Sequence, residues 1–198
     1  MRDLEVFAVL GPVLAAFERL GVAYYVAGSV ASSAYGTGRS TMDVDLVADL
    51  SEAHIRPLIQ VLQSAYYVDE HAALEAVRTR SSFNLIHLQT MFKVDIFVPE
   101  GRAFDQQVLA RRRKGSLTEA GRAPEAYLAS PEDVILSKLE WYERGGGVSD
   151  RQWGDVLGVL KVQGGRLDLG YLRHWAAELG LSDRLEQALR DAEAASGK

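Results

Sequence analysis

Residues 28–50 read GSVASSAYGTGRSTMDVDLVADL and set two aspartates, Asp43 and Asp45, into an apolar run. The run DVDLVA predicts a strand, on which side chains two residues apart point to the same face. Aspartate is disfavoured in strands, and two carboxylates about 4 Å apart repel by about 4 kcal/mol at an effective dielectric constant of 20. The pair needs a compensating charge, which a divalent cation would supply.

The residues upstream of the aspartates indicate a phosphate-binding turn. AYYVA, at 23–27, predicts a short buried strand that runs into Gly28 and Ser29. The small residues from Ser29 to Tyr35 predict one or two helical turns, followed by a loop at 36–40. Glycine lets a phosphate approach the backbone, and a serine hydroxyl and the amides of a helix N-terminus can bind it.

A third aspartate, Asp95, lies in the strand-like run MFKVDIFV. This run and SFNLIHLQ before it predict an antiparallel hairpin with a turn around 89–91. If the second strand of the hairpin lies beside DVDLVA, three carboxylates converge. Oxygen ligands favour magnesium or manganese, and this arrangement is typical of two-metal phosphoryl transfer.

A simpler interpretation of the same aspartates stays open. D-V-D-L can be a strand with its polar face in water, and Asp95 can pair with Lys93, which shares its face. On the strand pattern alone, a solvated strand and a metal site are equally good explanations.

The rest of the chain predicts an α+β fold in which a mixed sheet is flanked by helices and an all-helical unit follows. Strands and helices do not alternate strictly up to about residue 129. From Ser130 the pattern is helical, beginning with SPEDVILSKLEWYER. We therefore expect a catalytic domain at 1–129 and a helical domain at 130–198. The predicted helices before that boundary are 2–20, 52–62, 71–79 and 103–113.

Composition and charge exclude several classes of protein. The 198 residues include no cysteine, which excludes disulfides, thiolate zinc sites and a cysteine nucleophile. The net charge of -5 does not favour nucleic acid, although the basic run at 111–114 could be an RNA-binding patch or a solvated helix end. The four histidines are scattered and match no zinc motif. No apolar run is long enough for a membrane span, and the acidic N-terminal helix argues against a secretory signal, so we expect a cytoplasmic protein.

Together, Gly28-Ser29, Asp43-x-Asp45 and Asp95 resemble the signature of the nucleotidyltransferases of the DNA polymerase β-like superfamily. GRSTMDVDL, FNLIHLQTMFKVDIFV and SPEDVILSKLEWY look most like the AbiE-type branch of toxins and uncharacterised nucleotidyltransferases. The resemblance covers residues from about 20 to 160.

The resemblance implies magnesium-dependent transfer of a nucleoside monophosphate from a nucleoside triphosphate to an acceptor, which could be tRNA, a protein or a small molecule. It implies that Gly28 and Ser29 hold the β- and γ-phosphates and that Asp43, Asp45 and Asp95 are catalytic metal ligands. Arg39 and Lys138 are implied as nucleotide-binding cations. It also implies a toxin role, with an antitoxin as partner.

The chain departs from the AbiE-type pattern in the helix after Lys138. Toxin-like members carry Arg-Asp and a further acid there, whereas RQWGDV has Asp155 and places Gln152 at the earlier acid's position, with Asp150 two positions away. The alternative to an enzyme is therefore a degenerate nucleotidyltransferase-like module that binds a nucleotide or a protein.

Overall fold

The computed structural model describes residues 2–36, 43–117 and 125–196. Arg39 and most of the predicted loop at 36–40 lie outside these ranges. Within them, no helix is long and apolar enough to cross a membrane.

The described strands form one seven-stranded mixed sheet. Its order is β3-β4-β5-β2-β1-β7-β6. The pairs β2–β5 and β1–β7 are parallel, and the other neighbours are antiparallel. The strands are β1 (Tyr24–Val26), β2 (Asp43–Ala48), β3 (Tyr66–Val68), β4 (Ser82–His87), β5 (Lys93–Phe97), β6 (Arg113–Ser116) and β7 (Glu125–Leu128).

Helices occupy most of the remaining described chain, and the last four follow one another without a strand between them. They are α1 (Arg2–Leu20), α2 (Gly28–Tyr35), α3 (Glu52–Leu62), α4 (Glu70–Thr79), α5 (Ala103–Arg111), α6 (Pro131–Arg144), α7 (Asp150–Gln163), α8 (Leu169–Glu178) and α9 (Ser182–Ser196). Pro57 lies within α3, which begins at Glu52 directly after Ser51 as predicted.

The core of the sheet lies on one face of its central strands. Alternate residues of β2 and β5 are fully buried, as Val44, Leu46, Val94 and Ile96 each expose 0% of their surface. The residues that alternate with them include the three aspartates, which are only half-buried. Strand alternation thus directs the apolar residues into the core and the carboxylates onto the opposite face.

The chain divides into two compact units, one formed by Met1–Val30 and Ser40–Leu128 and the other by Ala31–Arg39 and Ala129–Lys198. The first contains the sheet, and the second contains α6–α9 with the end of α2. In the second unit, Gln163 Nε2 donates to the carbonyl of Tyr35 at 2.6 Å. Whether 1–129 and 130–198 are separate domains stays a prediction, because compactness does not test independent folding.

The predicted fold class is confirmed: a mixed sheet is combined with helices, and the C-terminal unit is all-helical. The hairpin of β4 and β5 is also found where the sequence predicts it. Strands β3, β6 and β7 were not predicted. They have only three or four residues each, and the sequence of β6, RKGS, has little of the β-branched and aromatic content by which strands are recognised.

Candidate active site

Gly28 and Asp45 touch where β1 leads into α2. The amide of Ala27 donates to the carbonyl of Asp45 at 2.8 Å, which holds the turn against β2. Gly28 has a φ of +57°, and a Cβ atom there would lie 1.7 Å from Oδ2 of Asp45. Only glycine satisfies both conditions without displacing the carboxylate.

Asp45 and Asp95 are direct neighbours on parallel strands. The register of β2 and β5 pairs Asp45 with Asp95 and Asp43 with Lys93. Neighbouring strands are about 4.8 Å apart, and register partners share a face of the sheet. Asp43, Asp45 and Asp95 therefore form an acidic face, as expected if the two strands were adjacent.

Asn84 of β4 lies on the other side of Asp95 and completes a row of polar residues across three strands. Sequence reasoning did not select Asn84. The period-two pattern of SFNLIH shows that Asn84 alternates with apolar residues, but only the hairpin register shows that it lies opposite Asp95.

Lys93 forms an ion pair with Asp95, with Nζ 2.8 Å from Oδ2. The side chain of Asp95 is 19% exposed and that of Lys93 46%. The hydrogen bond to Asp95 raises the pKa of Lys93, burial opposes the rise, and the charges of Asp95, Asp43 and Asp45 add to it. The pairing that the simpler interpretation proposed is thus present, and it lies within the acidic face.

The acidic face has the donor chemistry of a site for a hard cation. Its donors are carboxylate oxygens on adjacent strands, and the turn at Gly28 leaves room for the carboxylate of Asp45. However, the side chains are not gathered as a set of ligands: among the residues that the structure describes, no group of three or more His, Cys, Asp or Glu could hold a metal ion. Asp95 instead contacts Lys93.

Ser29 lies in the first turn of α2 and is 7% exposed. The strand, the glycine turn and the helix thus follow one another in the predicted order. The assignment of Ser29 and Gly28 to phosphates stays a prediction, as does that of Arg39, which lies outside the described residues.

Lys138 is buried and not a surface residue of its helix. Its Nζ donates to Oδ2 of Asp155 at 2.7 Å, and the two side chains are 7% and 9% exposed. Gln152, one turn before Asp155, has a buried Oε1 that accepts no hydrogen bond from the described part of the chain. The pair joins α6 to α7 within the second unit, and a role of Lys138 in nucleotide binding stays a prediction.

The basic run at 111–114 spans the end of α5 and the start of β6. The guanidinium of Arg112 lies 4.9 Å from the ring centroid of Tyr127, and Nζ of Lys114 lies 5.3 Å from it. These are cation–π distances. The run is therefore partly ordered on the sheet edge, and RNA binding there stays a prediction.

No model of a protein family and no curated protein sequence matches the chain. Solved structures do. One is the lincosamide antibiotic adenylyltransferase LnuA bound to lincomycin, 18% identical with a TM-score of 0.51, over 81% of this chain and 97% of the other. Another is the resistance factor ANT(2'')-Ia with adenylyl-2''-tobramycin, 11% identical with a TM-score of 0.57, over 88% and 97%.

A third is an antigenic nucleotidyltransferase-like protein from Paracoccidioides brasiliensis, 18% identical with a TM-score of 0.51, over 94% of this chain and 91% of the other. The chain has the nucleotidyltransferase fold. At these identities the likeness concerns the fold alone, and the AbiE-type branch is not among the findings. In this nucleotidyltransferase fold, the acidic face lies on β2 and β5, and the glycine turn leads from β1 into α2.

Proposed function

We propose that the protein is a magnesium-dependent nucleotidyltransferase, which transfers a nucleoside monophosphate from a nucleoside triphosphate to an acceptor. The observation that carries the proposal is the contact of Asp45 with Gly28, with Asp95 in register on the adjacent parallel strand. It joins a turn suited to phosphate to a carboxylate pair suited to a metal ion, in a fold shared with nucleotidyltransferases.

Each residue of the site has a chemical role in this proposal. The backbone at Gly28 and the hydroxyl of Ser29 bind the β- and γ-phosphates, so that the α-phosphorus faces the acidic face. The acceptor oxygen attacks the α-phosphorus, the bond to the bridging oxygen breaks, and pyrophosphate leaves. Asp95 takes the proton of the acceptor. Asp43, Asp45 and Asp95, which the structure does not gather as a ligand set, would hold magnesium, and the ion would neutralise charge that develops on the phosphate oxygens.

Two structural neighbours favour one class of acceptor. LnuA is described as an adenylyltransferase of lincosamides, and ANT(2'')-Ia was solved with an adenylylated tobramycin. These names support a small-molecule acceptor over tRNA or a protein. The AbiE-type toxin role, with an antitoxin as partner, and the cytoplasmic location rest on the sequence alone.

A second candidate function is a degenerate module that binds a nucleotide or a partner protein and transfers nothing. The ion pair between Lys93 and Asp95 favours it, because an ammonium group then partners Asp95 without any metal ion. The two candidates share the fold and differ in whether a nucleoside triphosphate is consumed.

Transfer is tested with labelled nucleoside triphosphates and magnesium, offered with three acceptor pools: small molecules that carry hydroxyl groups, total cellular RNA and total protein. A labelled product is expected with the wild type and not with Asp43→Ala or Asp45→Ala. The matched control is Asp49→Ala, which removes an exposed aspartate just beyond β2 that lies 3.8 Å from Arg80.

The control variant should label the acceptor as the wild type does. Nucleotide binding without transfer in the wild type would favour the binding module. If the wild type shows neither metal-dependent nucleotide binding nor transfer, the proposal of an enzyme is contradicted.

A further inference from the structure

Lys93 supplies an ammonium group to the acidic face. Its Nζ contacts Asp95 Oδ2 at 2.8 Å, and the charges of Asp43 and Asp45 act on the same ammonium group. In register it stands beside Asp43, while Asp45 stands beside Asp95. The four side chains therefore occupy the corners of one rectangle on the sheet, with three carboxylates and one ammonium.

In this arrangement the carboxylates repel one another, and the lysine reduces the repulsion. Like charges directly opposite each other on adjacent strands destabilise a sheet, and Asp45 and Asp95 are such a pair. Since Asp95 is only 19% exposed, water screens it incompletely. An ammonium group at hydrogen-bond distance from Asp95 offsets the repulsion and orients this carboxylate.

Lys93 is also easily displaced. Its side chain is 46% exposed. An ion pair with an exposed partner contributes little free energy, because water competes for the charge. Lysine is a point charge on a flexible four-carbon stem, so it can leave Asp95 without a change in the backbone.

We propose that Lys93 is a positioning residue that acts as the resident counter-cation of the acidic face: it holds Asp95 while no divalent cation is bound, and a divalent cation displaces it from Asp95. This inference rests on the proposed function, because it assumes that the acidic face receives a metal ion. One lysine would then stabilise the metal-free site and also compete with the metal ion for Asp95.

Two opposite effects on the metal-free and metal-bound protein follow. Without Lys93 the carboxylate of Asp95 loses its ammonium partner beside Asp45, so the metal-free protein is less stable. The same change removes a positive charge that competes for Asp95, so a divalent cation binds more tightly. Because a ligand of the native state stabilises it by mass action, the thermal shift produced by the metal increases.

The experiment measures the melting temperature of the full chain in EDTA and across a titration with manganese alone. For Lys93→Met we expect a fall of about 2–4 °C in EDTA and half-maximal stabilisation at an about two- to fivefold lower manganese concentration than in the wild type. Lys93→Arg should resemble the wild type, because it keeps the charge. Lys161→Met, at an exposed lysine of α7, is the control for the loss of a lysine.

The outcomes separate this inference from the proposed function. Equal melting temperatures and equal manganese responses in Lys93→Met and the wild type would overturn the role of Lys93, while loss of the response in Asp45→Asn would leave the metal site standing. No manganese response in either the wild type or Lys93→Met would overturn the role of Lys93, while labelled transfer by the wild type would leave the proposed function standing. A stronger response in Lys93→Met without nucleotide transfer by the wild type would support the counter-cation and contradict only the enzyme.

Discussion

Oδ2 of Asp45 lies 1.7 Å from the point where a side chain at Gly28 would begin. The glycine turn and the acidic face therefore cannot be varied independently. The φ of +57° at Gly28 is costly for any other residue.

Gly28→Ala should destabilise the protein and abolish nucleotide transfer, because the new methyl group displaces the carboxylate of Asp45. The expected loss in the free energy of unfolding is about 2–5 kcal/mol, from backbone strain and overpacking together. Urea denaturation and the transfer assay measure the two effects.

Gly21→Ala is the matched control for this substitution. Gly21 also has a positive φ, +69°, but nothing lies within 4 Å of the Cβ that alanine would add. It should lose only about 1–2 kcal/mol and remain active. If Gly28→Ala were as stable and as active as Gly21→Ala, the close approach of Gly28 to Asp45 would be needed neither for stability nor for transfer.

The buried pair of Lys138 and Asp155 should be strongly coupled. Asp155→Ala removes one partner of a buried ion pair and should cost about 3–5 kcal/mol. The double variant Lys138→Met with Asp155→Leu should be more stable than Asp155→Ala, since apolar replacement removes both buried charges of the pair. A double-mutant cycle in urea measures the coupling.

The exposed pair of Arg173 and Glu186 provides the comparison within the same unit. Glu186→Ala should change the stability little, because both side chains are largely in water. Additive effects at Lys138 and Asp155 would contradict a direct interaction between them.

Stability should decline in alkaline solution through Tyr66. Its hydroxyl donates to the carbonyl of Val9, and burial raises the pKa of Tyr66 from 10.0 to about 12. The unfolded chain therefore loses this proton at a lower pH than the folded protein. The contribution of the protonated Tyr66 phenol to the free energy of unfolding is complete below about pH 10. It is lost as the pH rises to about 12, and the total loss is about 2–3 kcal/mol.

Tyr66→Phe should flatten this decline in the free energy of unfolding between pH 10 and pH 12. It should not abolish it, because burial, followed by the charge of Glu18, also raises the pKa of Tyr24. Tyr67→Phe, at an exposed neighbour on β3, controls for the loss of a phenol as such. An unchanged slope in Tyr66→Phe would show that the buried phenol does not titrate as described.

The sequence predicted the elements with a strong local pattern. The hairpin of β4 and β5 and the helix after Ser130 have regular periodicity and clear turn or cap residues, which depend on neighbours in the chain. The acidic residues of β2 and β5 stood out because carboxylates in apolar strands conflict with strand propensity. Such conflicts are expected at functional sites.

The features that the sequence did not reveal depend on long-range pairing. The short edge strands β3 and β6 form only because a neighbouring strand supplies hydrogen bonds, and their own residues carry a weak signal. The position of Asn84 beside Asp95 and the burial of Lys138 against Asp155 require the register of strands and the packing of helices. Neither follows from spacing along the chain.

The most direct test of the central claim compares nucleoside triphosphates labelled at the α- and at the γ-phosphate, each with magnesium and the acceptor pools. Nucleotidyl transfer predicts that the α label enters the acceptor and the γ label leaves in pyrophosphate, in the wild type and Asp49→Asn but not in Asp45→Asn. Transfer of the γ label to the acceptor, or equal labelling by Asp45→Asn and Asp49→Asn, would contradict a nucleotidyl transfer site at Gly28 and Asp45.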